Sequence, residues 1–355
     1  MKKGRKNSIA DVAGITVGHH TIKNEQFQTG VTAIFPHQGE LFKEKLAAAV
    51  YVANGFGKSV GLLQVAELGM LETPILLTNT FAVGTAMNAL FRYSINRNKE
   101  IGDSAGTVNP LVFECNDGEI NDIRGMPITE KDVEIAMQSA QSNFEEGAVG
   151  AGTGMRCYQL KGGIGSASRI LTFNGKEYTL GCLVLTNYGQ LRDLKLAGYP
   201  IGADLVEYYQ EKDTKEKGSV ITILATDIPL NSRQLKRISK RATVGITRTG
   251  AFIGSDSGEI TLAFSTQQKF QQYSAEFSSR QILNEEYIDG LFRAVADMVD
   301  EAVLHSLVKS KATKTRNGKA IYNLEQSIEI LQKMQPNKKY QEILEYLQKF
   351  SASEY

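Results

Sequence analysis

The residues of this 355-residue chain best suited to covalent chemistry are Gly218 and Ser219, where a charged run, Glu211 to Lys217, meets the apolar stretch V-I-T-I-L. A serine hydroxyl is a weak nucleophile unless a base lies within hydrogen-bond reach. If the Gly218–Ser219 peptide bond is cut, Ser219 acquires its own base, an α-amine whose ordinary pKa of about 7.7 to 8.0 suits proton transfer near neutrality. No histidine is then required, and His19, His20, His37 and His305 form neither a metal-ligand spacing nor a convincing couple with a nucleophile. Taken alone, Gly-Ser before a strand is an ordinary loop–strand junction. Its company changes the reading. Downstream, Gly254-Ser255-Asp256-Ser257-Gly258-Glu259 places two hydroxyls and two carboxylates in a turn beside another strand. Upstream, Leu185-Thr186-Asn187-Tyr188-Gly189 ends a strand on an amide able to donate to an oxyanion.

The glycine-rich stretches do not read as nucleotide loops. Gly57-Lys58-Ser59 resembles the tail of a phosphate-binding loop, but Val52 occupies the place of its first glycine. Gly150-Ala151-Gly152-Thr153-Gly154 is followed by Met155 where a dinucleotide fingerprint needs glycine, and a helical pattern precedes it instead of a strand. Glycines 147, 150, 152, 154, 162, 163 and 165 permit close backbone approach, either to line a substrate pocket or to make tight turns. Cys115, Cys157 and Cys182 are widely spaced and read as buried free thiols; neither metal nor cofactor is expected.

These groups must be positioned by a mixed set of elements. Thr73 to Asn79 reads as a short buried strand feeding a helix through Phe81 to Ser94. A capping-box-like T-E-K-D at Thr129 opens a helix whose apolar positions, Val133, Ala136, Met137, Ala140 and Phe144, recur until Gly147. Further helices run from Asn231 or Ser232 to about Arg248 and from Glu285 to about Val308. Strands are clearest at Tyr178 to Thr186, Val220 to Ala225 and Glu259 to Ser265, and His19-His20 read as a turn. Such a mixture predicts an α/β or α+β layered domain with helices over packed sheets.

Forty basic against thirty-nine acidic residues leave a formal charge of +1, which gives no broad field for nucleic acid or an anionic membrane. No signal-peptide core follows the basic start and no long apolar run occurs, so a cytoplasmic protein with a small-molecule or peptide partner is expected.

Taken in order, several blocks resemble the DmpA-type L-aminopeptidase/D-esterase and β-peptidyl aminopeptidase family of self-processing serine hydrolases. They are D-V-A-G-I-T-V-G-H from Asp11, T-P-I-L-L-T-N-T from Thr73, E-C-N-D-G-E-I-N-D from Glu114 and V-G-A-G-T-G-M from Val149. K-G-G-I-G from Lys161, L-T-N-Y-G from Leu185, G-S-V-I-T-I-L-A-T-D-I-P-L from Gly218 and S-G-E from Ser257 complete the set. The resemblance implies an αββα sandwich similar to ornithine acetyltransferase and to N-terminal-nucleophile hydrolases, as one domain over residues 1–335; the tail over 336–355 reads by its own pattern as a short amphipathic helix, Tyr340 to Phe350. It implies self-cleavage into an α chain, 1–218, and a β chain, 219–355. Ser219 would be the nucleophile and its freed amine the base. Asn187 would be the oxyanion donor, and Ser257 with Glu259 would orient the serine. Glu114 would hold the substrate's free amino group, making the enzyme an aminopeptidase for short peptides, amides or esters. Asn116 stands where some members carry a tyrosine implicated in oxyanion binding; it can donate but is shorter. The resemblance also implies a homo-oligomer, often tetrameric. Two rivals are an ornithine-acetyltransferase-like acyltransferase, against which a serine in place of threonine argues, and an unprocessed binding scaffold.

Overall fold

The computed structural model describes residues 1–209, 218–273 and 275–352, with side chains as far as residue 348. The charged run 211–217 lies outside the described residues. In chain order the strands are β1 (Thr16–Lys23), β2 (Gln28–Phe35), β3 (Glu44–Gly55), β4 (Met70–Leu71), β5 (Ile75–Asn79) and β6 (Leu111–Cys115). They continue with β7 (Arg156–Cys157), β8 (Leu160–Lys161), β9 (Ile164–Phe173), β10 (Lys176–Asn187), β11 (Ser219–Thr226) and β12 (Gly258–Gln271). The helices are α1 (Leu62–Leu68), α2 (Val83–Arg97), α3 (Glu130–Gln138), α4 (Ile201–Tyr209), α5 (Ser232–Arg248), α6 (Asp289–Val308), α7 (Leu324–Met334) and α8 (Lys338–Ala352).

Two sheets form the centre. One has the order β1-β2-β5-β6 and the other β4-β3-β12-β11-β10-β9. Most neighbours are antiparallel, but β5/β6 and β11/β12 run parallel. Parallel neighbours need a crossover, supplied here by α2 and α5. Strand alternation then separates three apolar layers. In β11, Ile221 and Ile223 face the opposite sheet and pack with Leu77, Phe113 and Leu262, whereas Val220 and Leu224 face Leu235, Ile238 and Val299 of α5 and α6. On the far side Val31, Leu76 and Val112 meet Ala86 and Leu90 of α2 and Val133 of α3. The result is helix, sheet, sheet, helix, the expected αββα arrangement. Tyr340, Ile343, Leu344 and Leu347 of α8 join the layer that holds α5 and α6.

Local chemistry explains the element ends. Asn231 caps α5 reciprocally: its side chain accepts from Gln234 N–H at 2.9 Å while Gln234 Oε1 accepts from Asn231 N–H at 3.2 Å. The Thr129 capping box opens α3 as expected, but the helix stops at Gln138 and does not reach Gly147. Long-range pairing overrides the helical pattern: Val17 and Gln141 exchange backbone hydrogen bonds at 3.0 and 3.1 Å, so the chain leaves the helix to bridge to β1. Its Phe144 still finds apolar company, against the layer between the sheets. His19 and His20 lie in β1, not in a turn. The three cysteines are buried free thiols.

Candidate active site

The site forms where the head of β11, the end of β10 and the head of β12 meet the end of β6. Ser219 pairs with Asn187 on one side and Gly258 on the other. By alternation its side chain shares the face of Ile221 and Ile223 between the sheets, at the open end of that layer. Ser219 is 5% exposed. Gly258 N–H donates to the carbonyl oxygen of Gly218 at 3.1 Å. That contact polarises the carbonyl next to the Ser219 amide. A side chain on Gly218 would not fit, because a Cβ there would lie 2.7 Å from the Asn187 carbonyl oxygen and 2.6 Å from Tyr188 Cα.

Ser257 and Glu259 bracket Gly258, both buried, and Ser257 Oγ donates to Glu259 Oε1 at 2.5 Å. They are thus brought beside Ser219 through the strand pair, while no hydrogen bond joins Ser219 Oγ to Ser257 Oγ among the described residues. The turn before them is fastened by Asn54, whose two amide hydrogens are shared among the carbonyls of Gly254 (3.2 Å), Ser255 (3.1 Å) and Ser257.

Asn187 has a defined amide orientation. Its Oδ1 accepts from Arg156 N–H at 3.0 Å, so Nδ2 must face the other way, where one N–H donates to the Asn116 carbonyl at 3.0 Å. An amide nitrogen carries two hydrogens; the second remains for a ligand. Asn116 is exposed. Its Oδ1 accepts from Gly118 N–H at 2.9 Å in a tight turn, which leaves its own amide nitrogen directed away from the turn.

Glu114, the penultimate residue of β6, pairs with Thr78 of β5 and is 4% exposed. Its Oε1 accepts from Lys58 N–H at 2.7 Å and its Oε2 from the Thr80 hydroxyl. Both donors are neutral, and among the described residues no lysine or arginine forms an ion pair with it. A buried carboxylate held by neutral donors is poorly compensated until a cation arrives. Gly57 gives it room, since a Cβ there would sit 3.3 Å from Oε1. The residue after Glu114, Cys115, sits in the layer between the sheets, where its thiol reaches the carbonyls of Ser219 (3.6 Å) and Leu185 (3.8 Å). Burial pushes that thiol well above its ordinary value, so it stays protonated and non-nucleophilic.

The histidines are committed elsewhere. His19 bonds Thr32 and the Glu145 carbonyl, His20 lies 3.0 Å from Asp132, His37 bonds the Glu44 carbonyl, and His305 bonds the Ser166 carbonyl. Among the described residues no group of three His, Cys, Asp or Glu side chains is arranged to hold a metal ion.

Sequence reasoning did not anticipate Lys58, Thr80, Asn54 or Arg156. Lys58 and Arg156 act through backbone N–H groups, which carry no side-chain signal. Thr80 lies inside one of the family-like blocks, T-P-I-L-L-T-N-T, where its type alone suggests no role.

The layered fold is that of the N-terminal-nucleophile-like hydrolases. The chain belongs to peptidase family S58, matched over residues 7–321, and is a serine aminopeptidase of that family. It is 34% identical over 345 residues to the beta-peptidyl aminopeptidase BapA of Sphingosinicella xenopeptidilytica, covering 90% of this chain and 85% of that one. Among solved structures it is similar to the PH0078 protein of Pyrococcus horikoshii OT3, at 45% identity and TM-score 0.88 over 93% of this chain and 94% of that one. It is also similar to the L-aminopeptidase D-Ala-esterase/amidase of Ochrobactrum anthropi, a variant among the Ntn hydrolase fold, at 34% identity and TM-score 0.85 over 94% and 95%. No helix among the described residues is long and apolar enough to cross a membrane.

Proposed function

We propose that this serine aminopeptidase cuts its own chain between Gly218 and Ser219 and then removes N-terminal residues from short peptides, amides or esters. The observation that carries the reading is Glu114, a buried carboxylate whose two oxygens are held by Lys58 N–H and the Thr80 hydroxyl and which lacks a cationic partner among the described residues. A substrate's terminal ammonium completes it with a charge-assisted hydrogen bond. An acylated N-terminus would instead leave the charge buried and unanswered.

In the self-cleavage step Ser219 Oγ attacks the Gly218 carbonyl carbon while Gly258 N–H stabilises the oxygen as it gains charge. The C–N bond breaks, the Ser219 nitrogen takes a proton, and water releases the new Gly218 carboxylate. The α chain, 1–218, and β chain, 219–355, stay together because β11 lies in the centre of a sheet. In turnover the free α-amine takes the Oγ proton as Ser219 attacks the carbonyl of the substrate's first residue. Asn187 Nδ2 faces the resulting oxyanion, joined by Asn116 in the place where some relatives have tyrosine. Ser257 and Glu259 hold Gly258, and thereby the serine, in register. BapA's name points to β-peptides, which share the free amine that Glu114 reads and belong in the first substrate panel.

The test compares aminoacyl p-nitroanilides, of α- and β-amino acids, with their N-acetyl counterparts. Hydrolysis confined to the free amines supports the assignment. Equal rates on acetylated substrates would remove Glu114 from the role of ammonium receptor.

A further inference from the structure

A cavity of about 1440 Å³ opens away from Ser219, between the N-terminal segment at Arg5 to Ser8, the 141–149 loop and the end of α6. Six basic side chains line it, Arg5, Lys6, Lys23, Lys161, Lys309 and Lys311, against the acidic Glu145 and Glu146. In a chain of net charge +1 this is a strong local excess. Lys309 is occupied by Glu146 at 3.1 Å, and Lys6 by the Ser142 carbonyl at 2.8 Å. Arg5, Lys23 and Lys311 have neither an ion pair nor a side-chain hydrogen bond among the described residues.

The wall of this cavity includes an unusual lysine. Lys161 is 1% exposed, and its Nζ donates to the carbonyls of Gly152 (3.1 Å), Met155 (2.8 Å) and Gly162 (2.5 Å). An ammonium has three hydrogens for these three acceptors, whereas the neutral amine has two and gives up one of the three bonds that tie Lys161 to the 152–162 segment. Burial, and then the facing charge of Lys23, bring Lys161 down to about 7, with Cys157 opposing. Besides Lys23, the other ionisable groups on the same cavity are Arg5, Lys6, Glu145, Glu146, His305, Lys309 and Lys311. The residue after Met155 is Arg156, whose N–H fixes the amide of Asn187.

We propose that this cavity is a second, non-catalytic site for a small polyvalent oxyanion of the phosphate or polyphosphate class, held by Arg5, Lys23 and Lys311 and felt at the catalytic centre through Lys161. The anion neutralises the unpaired cations and favours the ammonium of Lys161. All three bonds from Lys161 are then kept, the 152–162 segment is held firmly, and Arg156 N–H keeps Asn187 aimed. Binding itself does not depend on the catalytic assignment; the effect on rate rests on Asn187 serving the oxyanion.

The test is calorimetric titration of the full-length protein with sodium pyrophosphate at constant ionic strength, just above neutral pH, in two buffers of different ionisation enthalpy. A single saturable site is expected, with a heat that depends on the buffer because a proton is taken up. The double variant Lys23→Glu/Lys311→Glu changes only exposed side chains and should bind at least about tenfold more weakly. Lys161→Met should abolish the proton uptake. Pyrophosphate should raise kcat on an aminoacyl amide in the wild-type protein while KM stays constant. No saturable binding, or equal binding by the double variant, would overturn the site. Saturable binding with unchanged kcat would overturn the coupling through Lys161, and it would leave the roles of Glu114 and Ser219, which other variants probe, as they were.

Discussion

Replacing Glu114 by glutamine removes a charge while keeping the shape of the group. The geometry around the side chain is preserved in outline, because an amide oxygen can accept from Lys58 N–H and an amide nitrogen can donate to the Thr80 oxygen, which merely reverses its own role. The substrate ammonium then meets a neutral acceptor. Loss of the charged partner of a buried ammonium, about 2 to 3 kcal/mol where a neutral acceptor remains, becomes roughly a 30- to 150-fold fall in kcat/KM for free-amine substrates. N-acetyl substrates should not suffer the same loss, so the preference for a free amine collapses. The free protein should be no less stable, since a buried charge without a cationic partner has been neutralised. Steady-state kinetics on paired free and acetylated aminoacyl amides, with thermal melts of both proteins, make the check. A Glu114→Gln protein that keeps both its rate within a few-fold and its preference for the free amine would show that the ammonium is bound elsewhere.

Asn187→Ala should lower kcat by about 10²- to 10³-fold with little change in KM, the pattern of a lost oxyanion donor; a comparable rise in KM with kcat intact would instead mark a substrate contact. Gly218→Ala should leave the chain uncut on intact-mass analysis, because the added Cβ would collide with the Asn187 carbonyl; normal processing of that variant would show that the backbone there is not confined. Burial lowers His19 from 6.5 to about 4, so the fold favours its neutral form. The stability it contributes is fully present above pH 6.5 and is lost as pH falls towards 4, and melts across that window should slope more steeply in wild type than in His19→Gln. Burial raises Asp117 from 3.8 to about 6, so its contribution is present below pH 3.8 and is lost as pH rises through 6; Asp117→Asn should remove that slope.

The parts of the fold that could be read directly were those in which local chemistry and tertiary packing agree. β11 alternates between two apolar layers, and α5 begins at a self-sufficient Asn231–Gln234 cap. The helix expected to continue to Gly147 failed for the opposite reason, since its end is set by Gln141 pairing with Val17, more than a hundred residues away in sequence. Gly218, Ser219 and Asn187 stand out through their places at strand ends, but their adjacency depends on the β10/β11 register. Glu114 and Asn116 were legible only through family resemblance, as nothing local distinguishes a carboxylate that will be buried. The backbone donors of Lys58 and Arg156 were invisible, because every non-proline residue offers the same N–H.

In this mechanism Ser219 becomes an N-terminus. Intact-mass spectrometry of the purified wild-type protein beside Ser219→Ala reads that out. Two fragments meeting at Gly218/Ser219 are expected in the wild type and one uncut chain in the variant. An uncut wild-type chain that still hydrolyses aminoacyl amides, or a Ser219→Ala chain cut at the same bond, would contradict it.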